Sequence, residues 1–146
     1  MKPQLPSDHP DLNRELRAIM GRFAGEPEAY RMDLAYAMAD DDLFLLAPVC
    51  DVEEEKGDFS FTTVTEVEAG RILNVFTNAT EVPPEMNGPG REVFGFPFTL
   101  FVWEAKALGF IAMVIDPDAP HSVTIHYEGE GFHVYSTQKL REAAKE

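Results

Sequence analysis

Hydrophobic side chains near the N-terminus recur at the three- and four-residue spacing of an amphipathic helix. Two such stretches are separated by Gly25, which favours the end of a helix, and Pro27, which favours the start of the next. Their hydrophobic positions are Leu12, Leu16, Ile19, Met20 and Phe23, then Tyr30, Leu34, Ala37 and Met38. This pattern predicts a helical hairpin. Residues 1–9 are polar and contain prolines, so we expect them to form a flexible arm.

The hydrophobic pattern then changes from helical to strand-like. Near-continuous hydrophobic runs over Leu43–Val49, Arg71–Asn78 and Phe110–Ile115 predict strands that are buried on both faces. Phe59–Val67 alternates and is rich in threonine, which predicts a half-exposed strand. The three that follow one another in the chain, Leu43–Val49, Phe59–Val67 and Arg71–Asn78, are expected to form an antiparallel meander. Glu92–Phe96 predicts a short edge strand.

Residues 97–108 carry a mixed signal, because their first half favours a strand and their second half favours a helix. Pro97 as a start and Gly109 as a stop favour a buried helix. Such a helix would be hydrophobic on nearly all sides. The hydrophobic face that does not pack on the core would then have to be buried by another surface. We expect this face to form either a homodimer contact or a groove that binds a partner. Phe98 and Trp103 are the residues that we assign to it.

The C-terminal residues predict a β-hairpin followed by a charged helix. Ser122–Tyr127 and Phe132–Ser136 flank Gly129-Glu130, which suits a two-residue type II′ turn. In that register His126 opposes His133. Taken together, residues 10–146 predict a single α+β domain with an N-terminal helical hairpin and a C-terminal β-hairpin and helix. Its centre is a mostly antiparallel or mixed sheet of about five to seven strands with helices packed on it.

Charge restricts the class of partner. The chain has 26 acidic and 12 basic residues, a net charge of −14. So negative a surface repels phosphate backbones, which excludes nucleic acid as the expected partner. Three of the acids, Asp40, Asp41 and Asp42, follow the second predicted helix. They form either a solvated turn or a docking site for a basic side chain or a cation.

Several features predict a cytoplasmic location. Cys50 is the single cysteine, so no disulfide can form within the chain. The N-terminus has no hydrophobic leader, and the longest hydrophobic region, residues 93–115, carries charges that oppose a membrane span.

The chain contains no nucleophile elbow, phosphate-binding loop or dinucleotide fingerprint, so the sequence predicts no catalytic residue and no cofactor. His126 and His133 are the strongest candidates for a metal site, since their β-carbons would lie about 5 Å apart across the hairpin. They would hold zinc if Asp116, Asp118 or His121 supplied a third ligand. The alternative is an exposed histidine pair that binds no metal.

The order of three segments resembles a known family. A helix leads to Leu43–Val49, then to Ile72–Asn78, and a later hydrophobic segment ends in Ile115-Asp116-Pro117. This order resembles the N-terminal domain of the SseB family, the bacterial "enhanced serine sensitivity" proteins, over about residues 29–120, and Val75-Phe76-Thr77 is its strongest element.

The chain departs from that family at two points. Asp116 stands where family members tend to have asparagine, and the second domain of the larger members is replaced by the hairpin and tail after Pro120. The resemblance implies an α+β fold and a cytoplasmic bacterial protein. It carries no catalytic residues onto this sequence.

Three hypotheses for function follow. The first is a non-enzymatic, SseB-like binding or regulatory module that acts through protein contacts. The second is a small acidic inhibitor, such as an immunity protein that masks a basic toxin or nuclease. The third is a metal-assisted enzyme that uses His126 and His133.

Overall fold

The computed structural model of the chain describes residues 10–40, 43–53, 55–78, 81–83 and 91–145. The predicted arm over residues 1–9 lies outside these ranges. The elements in chain order are α1 (Pro10–Gly25), α2 (Pro27–Met38), β1 (Phe44–Glu53), β2 (Asp58–Phe61), β3 (Val64–Val67), β4 (Gly70–Val75), β5 (Arg91–Pro97), α3 (Phe98–Ala107), β6 (Phe110–Ile115), β7 (Val123–Glu128), β8 (Gly131–Ser136) and α4 (Thr137–Ala144).

The predicted helical hairpin is confirmed as α1 and α2. The two helices meet at Gly25 and Pro27, and the Glu26 amide donates to the Arg22 carbonyl at 2.9 Å to close the joint. Both helices pack on one large core that also contains strands of both sheets and α3, and the side chains they bury in it are Leu16, Met20, Phe23, Leu34 and Met38. No helix in the described residues is long and hydrophobic enough to cross a membrane.

The α+β class is confirmed, but the strands divide into two sheets rather than one. The smaller sheet is antiparallel with the order β2-β1-β5, so β5 is the edge strand that the sequence predicts. The larger sheet has the order β3-β4-β6-β7-β8 and is antiparallel except for the parallel pair β4 and β6. The two sheets meet at Leu46 and Phe76, which exchange backbone hydrogen bonds of 2.7 and 2.8 Å.

The prediction of one strand over Phe59–Val67 is wrong. The chain breaks at Thr62 and Thr63, so that β2 joins the smaller sheet and β3 joins the larger one. The Thr62 amide donates to Pro48 in β1, whereas the Thr63 carbonyl accepts from Asn74 in β4. The alternating pattern did not reveal the break because both halves pack against the same core.

The expectation that the Arg71–Asn78 strand is buried on both faces is also only half met. Leu73 and Val75 of β4 are fully buried, whereas Ile72 and Asn74 on the other face remain partly exposed. Because β4 and β6 are parallel, with Val75 paired to Ile115, the C-terminal ends of both strands lie side by side.

Residues 98–107 form the predicted helix, α3. Its inner face packs into the core, where the Phe101 ring stacks on Phe96 with centroids 4.5 Å apart. The Tyr127 hydroxyl of β7 donates to the Val102 carbonyl at 2.6 Å and fastens α3 to the larger sheet. The outer face leaves Leu100 and Trp103 61% and 48% exposed, as expected of a helix with a surplus hydrophobic face.

The C-terminal hairpin and helix are confirmed. His126 pairs with His133 in the predicted register, and Gly129 has the positive φ of 57° that the first turn position requires. Ser136 begins α4 by accepting a hydrogen bond from the Lys139 amide, and its hydroxyl donates to the Ala24 carbonyl of α1. This contact ties the last helix to the first.

Candidate functional site

A hydrophobic groove lies between α2, α3 and β8. Its cavity volume is about 360 Å³. The side chains that line it are Phe23, Arg31, Leu34, Ala35, Met38, Ala39, Phe98, Thr99, Val102, Trp103, Phe132, His133 and Val134. None of these lining residues is acidic, although the chain as a whole carries a net charge of −14.

The groove has a rigid floor and an accessible rim. Phe23, Leu34 and Val102 in the floor are almost completely buried, so their positions are set by the core. At the rim, Trp103 packs edge-on against Phe132 with ring centroids 5.5 Å apart. A large aromatic ring at the mouth of a hydrophobic groove can anchor a ligand with little loss of conformational entropy.

Arg31 gives the groove its charge. One of its guanidinium nitrogens donates to the Val134 carbonyl at 3.2 Å, and the group lies 5.7 Å from the centre of the Phe23 ring. A second nitrogen lies 3.4 Å from Glu28, whose side chain is almost fully exposed. Exposed ion pairs of this kind are weak, so a carboxylate on a ligand can compete for the guanidinium.

The structure separates the predicted partner-surface residues. Phe98 is buried and lies in the floor of the groove, whereas Trp103 is half exposed at its rim. Asp40 instead lies beside a different hollow, between α1 and α2. Asp41 and Asp42 lie outside the described residues.

The predicted histidine pair meets a carboxylate that the sequence analysis did not name. Glu128 places one oxygen 3.4 Å from His126 Nδ1 and the other 3.2 Å from His133 Nε2. All three side chains are about half exposed, and His126 is not among the residues that line the groove. Asp116 is remote from this pair, because it lies four residues beyond Ala112, the residue of β6 that pairs with His126.

A second polar site lies where β4 and β6 end. The Asp116 carboxylate is completely buried. It accepts from the Thr77 amide at 2.9 Å and from the Thr77 hydroxyl at 2.6 Å. The Asn13 side chain of α1 donates to the Thr77 carbonyl at 2.6 Å. Asp116 has a φ of 51°, a conformation that aspartate and asparagine tolerate better than other side chains, so either residue suits this position.

His121 and Glu81 complete this site. His121 Nε2 lies 2.7 Å from Asp116 Oδ2, and ligand atoms of Glu81, Asp116 and His121 all lie within 4.8 Å of one another. In the part of the chain that the structure describes, no other three histidine, cysteine or carboxylate side chains bring one ligand atom each within that distance of one another. Sequence reasoning named Asp116 and His121 only as partners of other histidines and missed Glu81, because no spacing links a loop residue to the end of a distant strand.

Comparison with known proteins identifies one family. The model of the family described as SseB protein N-terminal domain matches residues 16–129. No curated protein and no solved structure matches the chain.

Proposed function

This chain belongs to the family of the SseB protein N-terminal domain, and on that premise we propose that it is a non-enzymatic module that binds a protein partner. The observation that carries the proposal is the half-exposed Trp103 above a floor of buried hydrophobic side chains. Tryptophan at the rim of a desolvated groove is the arrangement found at energetic hot spots of protein interfaces. Exposed hydrophobic surface of this kind usually marks a site of interaction.

The chemistry of the lining indicates what the partner offers. A groove bordered by α2, α3 and β8, with a hydrophobic floor, suits an amphipathic helical segment whose large apolar side chains point into the groove. Arg31 is the one charged side chain of the lining, so a carboxylate on the same segment would find a complementary charge there. The partner segment is therefore an amphipathic helix with bulky hydrophobic anchors and an acidic residue beside them.

A peptide-display experiment tests this proposal. A random peptide library is selected on the wild-type protein, and the enriched peptides are measured by fluorescence, because Trp103 is the only tryptophan of the chain. We expect enriched peptides to carry large hydrophobic residues at helical spacing with an acidic residue beside them. Binding should shift the Trp103 emission, since the ring leaves water when the groove is filled.

Two exposed alanines of α2 provide a matched pair of variants. Ala35→Arg places a long cationic side chain in the groove, whereas Ala29→Arg makes the same change outside the lining. We expect Ala35→Arg to weaken peptide binding about tenfold or more and Ala29→Arg to leave it unchanged. Equal binding by both variants would remove the groove from the proposal. The proposal would also be wrong if the library yields no peptide above the unselected background, or if the groove binds simple fatty acids and no peptide.

A different surface supports the hypothesis of an acidic inhibitor. The charged residues that line the hollow between α1 and α2 are three acids, Glu15, Asp33 and Asp40, and one base, Arg22, and Tyr36 beside them is 75% exposed. A basic partner would meet complementary charge there. Replacing Asp33 by Lys should then weaken binding of such a partner and reduce its salt dependence, whereas Ala35→Arg should have no effect. The opposite result assigns the partner to the groove.

A further inference from the structure

We propose that Glu81, Asp116 and His121 form a binding site for a divalent transition-metal ion, and that zinc is the ion that suits it best. The three side chains supply two carboxylates and one imidazole, with ligand atoms within 4.8 Å of one another. Two carboxylates and an imidazole are ordinary zinc ligands, and three protein ligands leave a fourth position open. The imidazole favours zinc over magnesium or calcium, which prefer oxygen ligands alone.

The Asp116 carboxylate is already held as a metal ligand would be. Thr77 fixes it through its backbone amide and its hydroxyl, and Asn13 in turn holds the Thr77 carbonyl. Hydrogen bonds of this kind orient the carboxylate ligands of metal sites and lower the entropy lost when an ion binds. The scaffold comes from three separate elements, namely the ends of β4 and β6 and the first helix.

The charge of the site is complementary to a cation. Neither Asp116 nor Glu81 has a lysine or arginine ion-pair partner among the described residues, and the Glu81 carboxylate has no hydrogen-bond partner among them. A completely buried carboxylate is costly unless opposite charge or several donors compensate it. Thr77 and His121 provide donors to Asp116, and a bound metal ion would compensate both carboxylates at once.

Small movements are enough to form the site. Ligands in a tetrahedral zinc site lie about 3.3 Å apart, as follows from zinc–ligand distances of about 2.0–2.1 Å. His121 Nε2 and Asp116 Oδ2, now 2.7 Å apart, would separate slightly as zinc replaces the proton between them. Glu81 is only partly buried and its amide donates to the Asn78 carbonyl at 3.0 Å, so its side chain is the ligand that would move inward.

The test uses full-length protein without a histidine tag, dialysed to equilibrium against Zn²⁺ and analysed for bound metal. We expect a single ion per chain for the wild type. Glu81→Gln removes one carboxylate ligand and leaves the Thr77–Asp116 hydrogen bonds intact, so this variant should fold normally. It should bind zinc about tenfold or more weakly than the wild type. Asp116→Asn suits the same backbone conformation and should weaken binding as well.

The exposed histidines supply the control. His126→Ala with His133→Ala removes the other histidine pair and should leave the high-affinity ion in place. If the double variant loses its zinc while Glu81→Gln keeps it, the ion belongs to the hairpin and the proposal is overturned. Absence of stoichiometric zinc from the wild type would overturn it too. A Co²⁺-loaded sample should show the absorption bands of tetrahedral cobalt, and His121→Ala should abolish them.

Discussion

Thr77 donates two hydrogen bonds to Asp116, one from its backbone amide at 2.9 Å and one from its hydroxyl at 2.6 Å. The two residues are separated by 39 positions and follow the parallel strands β4 and β6. They belong to the two short segments, Val75-Phe76-Thr77 and Ile115-Asp116-Pro117, that carry the family resemblance. A likeness seen in sequence thus corresponds to a buried contact that fixes the ends of two strands.

Replacing Thr77 by Val should destabilise the protein. The change keeps the shape of the side chain but removes a donor to a buried carboxylate, so we expect a loss of about 1–3 kcal/mol in the free energy of unfolding. Urea denaturation followed by circular dichroism measures this difference. A loss within the error of the method would mean that the hydroxyl contact contributes nothing to stability.

Thr62 provides the matched control, with the opposite expected sign. Its hydroxyl is buried and has no hydrogen-bond partner in the described structure. Thr62→Val therefore removes a polar atom that gains nothing from burial, and we expect stability to stay the same or rise by about 1 kcal/mol. The contrast between two identical substitutions isolates the effect of the hydrogen bond.

Tyr127 should make stability depend on pH in the alkaline range. Burial raises the pKa of Tyr127 above its ordinary value of 10.0. The folded state therefore keeps the phenol proton after the unfolded chain has lost it. This stabilising difference is fully present below about pH 10 and is lost as the pH rises further. Denaturation curves recorded on both sides of that pH should show the loss.

Tyr127→Phe tests the same assignment. It removes the hydrogen bond to Val102, so the variant should be less stable by about 1 kcal/mol near neutral pH. It also removes the titrating group, so its stability should fall less steeply at alkaline pH than that of the wild type. Parallel pH profiles for the two proteins would contradict the assignment.

Trp103 and Phe101 lie on opposite faces of α3 and should respond differently to truncation. Phe101 is fully buried and stacked on Phe96, so Phe101→Ala should cost about 3–5 kcal/mol of stability. Trp103 is half exposed and contacts Phe132 edge-on, so Trp103→Ala should cost about 1 kcal/mol. Thermal denaturation compares the two. A large loss for Trp103→Ala would show that this ring is a structural residue rather than a binding residue.

Gly70 and Gly25 should respond in opposite ways to alanine. Gly70 opens β4 with a φ of +152°, and an added Cβ would lie 2.8 Å from Ile111 Cγ2. Gly70→Ala should therefore destabilise the protein by more than about 1 kcal/mol. Gly25 ends α1 with nothing within 4 Å of the added atom, so Gly25→Ala should be neutral or stabilise by up to about 1 kcal/mol. Chemical denaturation of both variants checks the pair.

Local sequence was sufficient for the elements that depend on near neighbours. The spacing of Leu16, Met20 and Phe23 and the Gly25–Pro27 joint specified the helical hairpin, since both are signals within a few residues. The Gly129-Glu130 turn likewise specified the pairing of His126 with His133, because a two-residue loop sets the register of a hairpin. Pro97 and Gly109 similarly favoured α3 over a strand.

The division into two sheets and the sites at their edges were decided only by tertiary structure. The alternation along Phe59–Val67 indicates which side chains face the core. It is the same whether the backbone of this segment pairs with one sheet or with two. Likewise, no local signal shows that β4 and β6 are parallel, because that pairing depends on the whole path of chain between them. Asp116 meets Thr77, His121 and Glu81 as a result of that path. By itself, the sequence determined the helices, most strands and the C-terminal hairpin, whereas long-range packing decided which polar side chains share a site.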